Sequence, residues 1–170
     1  MTFLFRLLRE IPPRLLGSFV IKAGLGNLRA IRRFEQRKKQ GAVFPPFLFI
    51  SVTQRCDLAC KGCWATGVEK PVDMSEALLH QIVTEGREQG CRFFGILGGE
   101  PLLLPWLPDF FRRHRNLYFQ LFTNGQRLDD ALARKLRKAG NVSPLISIEG
   151  NALSYAARRG AGTAYETALT

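Results

Sequence analysis

The chain has 170 residues, 46% hydrophobic and 23% charged, with 16 Gly and 9 Pro. It is long enough for one domain and short for two, and its composition excludes disordered and collagen-like classes. No stretch of about eighteen apolar residues occurs, so no spanning helix is expected, and four Cys are too few for a disulfide scaffold. The formal net charge of +11 is uneven: residues 1–40 hold ten Lys/Arg and two Glu, a net of +8, and residues 41–170 hold fifteen basic and twelve acidic side chains, a net of +3. The basic character therefore belongs mainly to an amino-terminal arm, and no nucleic-acid partner is expected for the whole chain.

Residues 1–40 read as two helical pieces broken at Pro12 and Pro13. The first carries Phe3, Leu4, Phe5, Leu7 and Leu8. The second carries Leu15, Leu16, Phe19, Val20, Ile21 and Leu25, followed by a basic run from Arg29 to Lys39. Arg6, Arg9 and Lys22 interrupt the apolar stretches and no small-residue cleavage site follows, which argues against a secretory signal. Two readings stay open: a helical extension packed on the domain, or a basic amphipathic arm lying on an anionic membrane or a partner.

Residues 41–46 form a turn-rich hinge into a core spanning 41–170. The pattern then alternates strand and helix. Strands are expected over 47–53, 92–97, 117–123 and 144–149. Helices are expected over 74–89, with Met74, Leu78 and Ile82 four apart and Asp73 and Glu76 as cap and partner, then over 106–115, over 128–139, closed by Gly140, and from Asn151 onward. Such alternation predicts an α/β fold: four parallel strands with helical crossovers, either an open sheet or a partial (β/α) barrel. The last helix has no following turn, so the core is expected to be incomplete at its carboxyl end.

Three of the four Cys lie within eight positions, as Cys56-x-x-x-Cys60-x-x-Cys63, directly after the first strand. In parallel α/β folds that is the ligand-binding side. Structural zinc wants four protein ligands, and the remaining candidates, Cys91, His80 and His114, are poorly placed to serve. Three thiolates suit a cubane iron–sulfur cluster with one iron left open. Zinc and coincidence remain as alternatives.

The spacing resembles the signature of the radical S-adenosylmethionine superfamily. Gly98, Gly99, Glu100 and Pro101 at the end of strand two resemble its glycine-rich element. Thr123, Asn124 and Gly125 close strand three, and Ser147 to Gly150 close strand four, as they do there. Residues 158–163 resemble the following segment in peptide- and cofactor-modifying members. The position before the third Cys, often aromatic in that family, is Gly62, with Trp64 just beyond.

The resemblance implies a [4Fe–4S] cluster on Cys56, Cys60 and Cys63 and S-adenosylmethionine on its open iron. It implies reductive cleavage of that cofactor to a 5′-deoxyadenosyl radical, with electrons from an external one-electron donor. Gly98 and Gly99 would let backbone approach the cofactor, Glu100 would hold its amino group, and Ser147 and Glu149, two apart on one strand, would bind ribose hydroxyls. Arg158 or Arg159, at most one of them, would meet a carboxylate of cofactor or substrate, with a solvated face as the alternative for either. Structural alternatives stand beside these: a plain turn at Gly98–Gly99, a helix-start charge at Glu100, a solvated Glu149, a turn at Asn124–Gly125. Cys91 reads as a small buried hydrophobe, and His80 and His114 as surface helix residues. The competing function is an inactive iron–sulfur or electron-transfer module. A cytoplasmic location is expected, peripheral to the membrane if the arm binds lipid.

Overall fold

The structure is a computed structural model describing residues 11–159 and 164–169. Four short strands, β1 (Phe47–Ser51), β2 (Phe93–Leu97), β3 (Tyr118–Thr123) and β4 (Val142–Ile146), form one parallel sheet in the order β1-β2-β3-β4. Each pair is joined by a helical crossover. The arm forms α1 (Pro13–Ser18), a π-helical stretch (Phe19–Leu25) and α2 (Gly26–Lys39); the crossovers are α3 (Glu76–Glu88), α4 (Leu107–Arg113) and α5 (Asp130–Ala139); α6 (Ala152–Arg159) and α7 (Ala164–Leu169) follow β4. This is the expected α/β architecture, one open side of a (β/α) barrel.

Alternation along the strands divides the sheet into two faces. Phe94, Ile96, Phe119 and Leu121 turn toward the helices and pack with Leu79, Val83, Leu107, Phe110, Phe111 and Leu136 in the main core. Phe49, Gly95, Gln120 and Ser143 share the other face in register. A methyl added at Gly95 would stand 2.2 Å from the Phe49 ring, so the glycine gives that ring its place over β2. This second face is sparsely covered: Phe49 is 54% exposed and Leu145 44%.

Three local features differ from the sequence expectation in ways that bear on the site and the core. Ser75 caps α3, its side chain accepting from Leu78 N at 3.2 Å, because Asp73 is drawn off by Arg55 and Thr53. The buried stripe of α3 is Leu79, Val83 and Gly86, one residue round from the expected one, and Leu78 is exposed; the Phe94 ring presses where a Gly86 side chain would stand. β4 ends at Ile146, so Ser147 and Glu149 lie beyond the strand.

The arm's second piece is one continuous helical run that starts at Pro13, where a missing N–H costs nothing. It lies against the starts of the strands: Phe19 meets the Tyr118 ring edge-on at 5.5 Å, Ser18 Oγ donates to Gly140 O at 2.5 Å, and Arg37 donates to Gln89 O at 2.7 Å. The expected first piece, over residues 3–8, lies outside the described residues.

Candidate cofactor site at the strand ends

The site begins where the chain leaves β1 and β2. Gly99 N donates to Thr53 O and Glu100 N to Arg55 O, both at 2.8 Å, so the two loops run side by side. A methyl on Gly98 would stand 2.5 Å from Thr53 O, and one on Gly99 2.1 Å from Arg55 O. Gly98 also has φ +152, open to glycine and rarely to other residues. The close approach these two glycines allow is that of the cysteine loop itself, a nearer cause than the cofactor contact expected from sequence.

That packing sets Cys56, Cys60 and Cys63, all half-buried, on one wall of a cavity of about 370 Å³. Facing them are Gly98, Gly99, Thr123, Asn124, Ser147, Glu149 and both Arg158 and Arg159. Burial pushes the Cys56 and Cys60 thiols up; Leu58 N–H, donating to Sγ at 3.4 Å, opposes this at Cys56, and the Arg159 charge opposes it at Cys60. Lys61 N donates to Arg158 O at 2.7 Å, tying the cysteine loop to α6.

The donor set fits an iron–sulfur cluster better than zinc. Among the described residues, no three His, Cys, Asp or Glu side chains, the three thiols included, are gathered closely enough to hold a metal ion, and the other candidate ligands lie away from the cysteine loop. Cys91 is fully buried just before β2, its Sγ donating to Pro45 O at 3.0 Å, and burial pushes its thiol up to about 11. His80 Nδ1 and His114 Nε2 meet each other at 3.2 Å on the outer helices, a pairing the sequence reading did not foresee. Three soft thiols on one loop leave one iron of a cubane free for a small-molecule ligand.

Glu100 is fully buried and is not part of the cavity wall. One oxygen accepts from Leu102 N and Thr123 Oγ1, both at 2.9 Å, and the other from Asn124 N at 2.8 Å. Burial raises its carboxyl, and these donors pull it back. It clamps the end of β2 to the end of β3.

Ser147 N donates to Thr123 O at 3.0 Å, one last ladder bond past β4. Both arginines close on Glu149, Arg158 at 3.1 Å and Arg159 at 3.0 Å, a carboxylate of the chain itself and not the cofactor or substrate carboxylate the sequence reading had in view. They can do so because they occupy the last turn of α6 and splay around the loop that brings Glu149 back to it. Arg159 is held further by the Tyr155 ring, 5.2 Å below its guanidinium. The segment 160–163 lies outside the described residues.

The contacts of two acidic residues escaped the sequence reading, which passed over Asp57 and read Asp73 only as a helix cap. Asp57, inside the cysteine motif, accepts from Asn124 Nδ2 and Arg127 Nε, both at 2.8 Å. Asp73 accepts from Thr53 Oγ1 at 2.6 Å and from Arg55 Nε at 3.0 Å. The only sequence signal was an acid between two cysteines, a position that bulk solvent would serve equally well.

A family model described as the radical SAM superfamily matches residues 50–169. The PqqA peptide cyclase of Granulibacter bethesdensis is 31% identical over 106 residues, covering 56% of this chain and 27% of that protein. The pre-heme d1 synthase of Dinoroseobacter shibae is 33% identical over 130 residues, covering 73% of this chain and 32% of that protein. The crystal structure of Streptococcus suis SuiB bound to S-adenosylmethionine superposes with a TM-score of 0.61 at 22% identity, covering 76% of this chain and 32% of SuiB; that likeness is one of fold. The chain spans about a third or less of the length of these proteins. With the match running from β1 to α7 and the three cysteines on the ligand side of a parallel sheet, the chain belongs to the radical S-adenosylmethionine superfamily, whose cofactors are a [4Fe–4S] cluster and S-adenosylmethionine.

Proposed function

We propose that this chain is the cofactor-binding and cofactor-cleaving part of a radical S-adenosylmethionine enzyme. One observation carries the reading: three thiols and a hydroxyl–carboxylate pair line a single cavity at the carboxyl ends of parallel strands. When bound, the cluster supplies one electron to the sulfonium of S-adenosylmethionine, breaking a carbon–sulfur bond to give methionine and a 5′-deoxyadenosyl radical that abstracts hydrogen from a substrate.

The chain's own residues have distinct tasks. Cys56, Cys60 and Cys63 hold the cluster. Gly98 and Gly99 keep the cysteine loop against β2 and present backbone to the cavity. Ser147 and Glu149 offer a hydroxyl and a carboxylate suited to ribose hydroxyls, and Arg158 and Arg159 hold the carboxylate in place. Glu100 supports this wall from beneath. The half-buried Phe122 ring keeps part of the cavity dry. An external one-electron donor and a reducing cytoplasm complete the reading, and the basic arm suits a peripheral hold on an anionic membrane.

Anaerobic reconstitution of the full chain with iron and sulfide tests this. A brown protein with about four irons is expected, forming 5′-deoxyadenosine from S-adenosylmethionine under dithionite. Cys56→Ala, Cys60→Ala and Cys63→Ala should each lose iron and activity, and Cys91→Ala should keep both. Brown protein without cleavage would favour the electron-transfer module, and a colourless zinc protein would remove both readings.

A further inference from the structure

The arm carries an inverted pattern. From Val20 to Ile31 the side that meets the core is built from small residues: Ala23 and Ala30 are buried, and Gly26 sits where a methyl would stand 3.4 Å from Arg92 Cβ. The large aliphatics point the other way. Val20, Ile21, Leu25, Leu28 and Ile31 are 44–62% exposed, and their three- and four-residue spacing lines them along one outward stripe. A helix stabilised only by its own domain turns its large apolar residues inward.

The flanks are basic. Arg29, Arg32, Arg33, Lys38 and Lys39 are exposed on α2, and Glu35 is its only acid. A second copy of the chain would bring the same positive charge to this face and be repelled. A bilayer with anionic headgroups supplies both an apolar layer for the stripe and negative charge for its flanks. Among the described residues no helix is long and apolar enough to cross a membrane, so the arm would lie in the interface.

We infer that the Val20–Ile31 stripe of the arm docks on an anionic lipid bilayer and turns the cysteine cavity away from it. The orientation follows from where the arm is anchored. Its contacts are at Gln89, Arg92, Tyr118 and Gly140, all at or before strand starts, whereas the cavity opens at strand ends. The docked protein therefore receives its cofactor from water. This inference rests on the peripheral hold stated above and is independent of the radical chemistry.

Flotation of the full chain with vesicles tests it, using phosphatidylcholine alone and phosphatidylcholine mixed with phosphatidylglycerol, at low and half-molar salt. The protein should float with the anionic vesicles at low salt and stay behind with neutral vesicles or at high salt. Ile21→Asp/Leu25→Asp/Leu28→Asp and Arg29→Glu/Arg32→Glu should each cut recovery about tenfold or more. All five sites are exposed, and unchanged iron uptake on reconstitution verifies that both variants fold. If the parent floats and both variants float equally, the hold exists but this face is not it. If the parent does not float, the peripheral reading itself falls. Concentration-dependent self-association, lost in the aspartate variant and without flotation, would instead make the stripe an interface between copies.

Discussion

Asp57 and Asn124 are 67 positions apart, yet Asn124 Nδ2 donates to Asp57 Oδ1 at 2.8 Å and also faces Cys56 Sγ at 3.8 Å. β1 and β3 are not neighbours in the sheet, so the cysteine loop crosses over the end of β2 to make this contact. Arg127 secures the other Asp57 oxygen. Asp57 is thereby braced from two sides.

Asp57→Ala should consequently lower iron retention while leaving the far-ultraviolet circular dichroism unchanged. Hydrogen bonds to charged groups are worth about 1.5–3 kcal/mol, so cluster loss to a chelator should speed up about tenfold. A loss rate equal to the parent's would mean that the thiols organise themselves without this brace.

Gly99→Ala and Gly62→Ala separate packing from backbone conformation. The first methyl lands 2.1 Å from Arg55 O, whereas at Gly62 nothing lies within 4 Å and only φ +73 resists. Gly99→Ala should cost more than ~3 kcal/mol, beyond ordinary overpacking. Gly62→Ala should cost about 1 kcal/mol. Thermal melts of the two variants give the order, and equal losses would refute the close approach of the two loops.

Glu149→Gln should weaken S-adenosylmethionine binding about ten- to a hundredfold, as expected for loss of a charge-assisted bond. Calorimetry on the reconstituted protein measures it. Unchanged affinity with full cluster content would take Glu149 out of the site.

Glu100→Gln should behave differently. Its two oxygens accept three buried hydrogen bonds, and an amide sets one NH2 against a donor. A loss of about 1–3 kcal/mol of stability is expected, with a smaller change in cofactor affinity than for Glu149→Gln. The reverse order would return Glu100 to direct cofactor contact.

His114 carries a pH dependence of stability. Burial, then the nearby His80, Arg113 and Arg87 charges, lower it from 6.5 to about 4. The unfolded chain therefore binds a proton that the folded chain refuses between these values. The stabilisation is complete above about pH 6.5 and is lost as pH falls toward 4. His114→Phe keeps the ring against Phe110, 4.4 Å away in the parent, and should flatten the decline in melting temperature between pH 7 and 5. A parallel decline in parent and variant would assign it to other groups.

How much of this was legible depended on distance along the chain. The three cysteines, the order of strands and helices, and the left-handed cap at Gly140 are local signals, readable from spacing and residue type. The stripe of α3 was misplaced by one residue because Leu78 and Leu79 are both apolar, and only the Phe94 ring against Gly86 chooses between them. The end of β4 was set too late because Ser147 to Glu149 continue an alternating pattern after the ladder has stopped. The arm was read either as packed on the domain or as lying on a membrane or partner; the structure packs it on the strand starts while Val20, Ile21, Leu25, Leu28 and Ile31 stay outside.

By itself the sequence determined that this is a parallel α/β chain with a triple-thiol loop on its ligand side, since hydrophobic periodicity and metal-ligand spacing act over a few residues. Tertiary structure alone decided that Glu100 lies beneath the cavity, that Glu149 gathers both arginines, and that Asp57 is bound by Asn124 and Arg127. A carboxylate's role depends on which donors surround it and whether water reaches it, and strand order and loop packing bring most of those donors from 9 to 70 positions away.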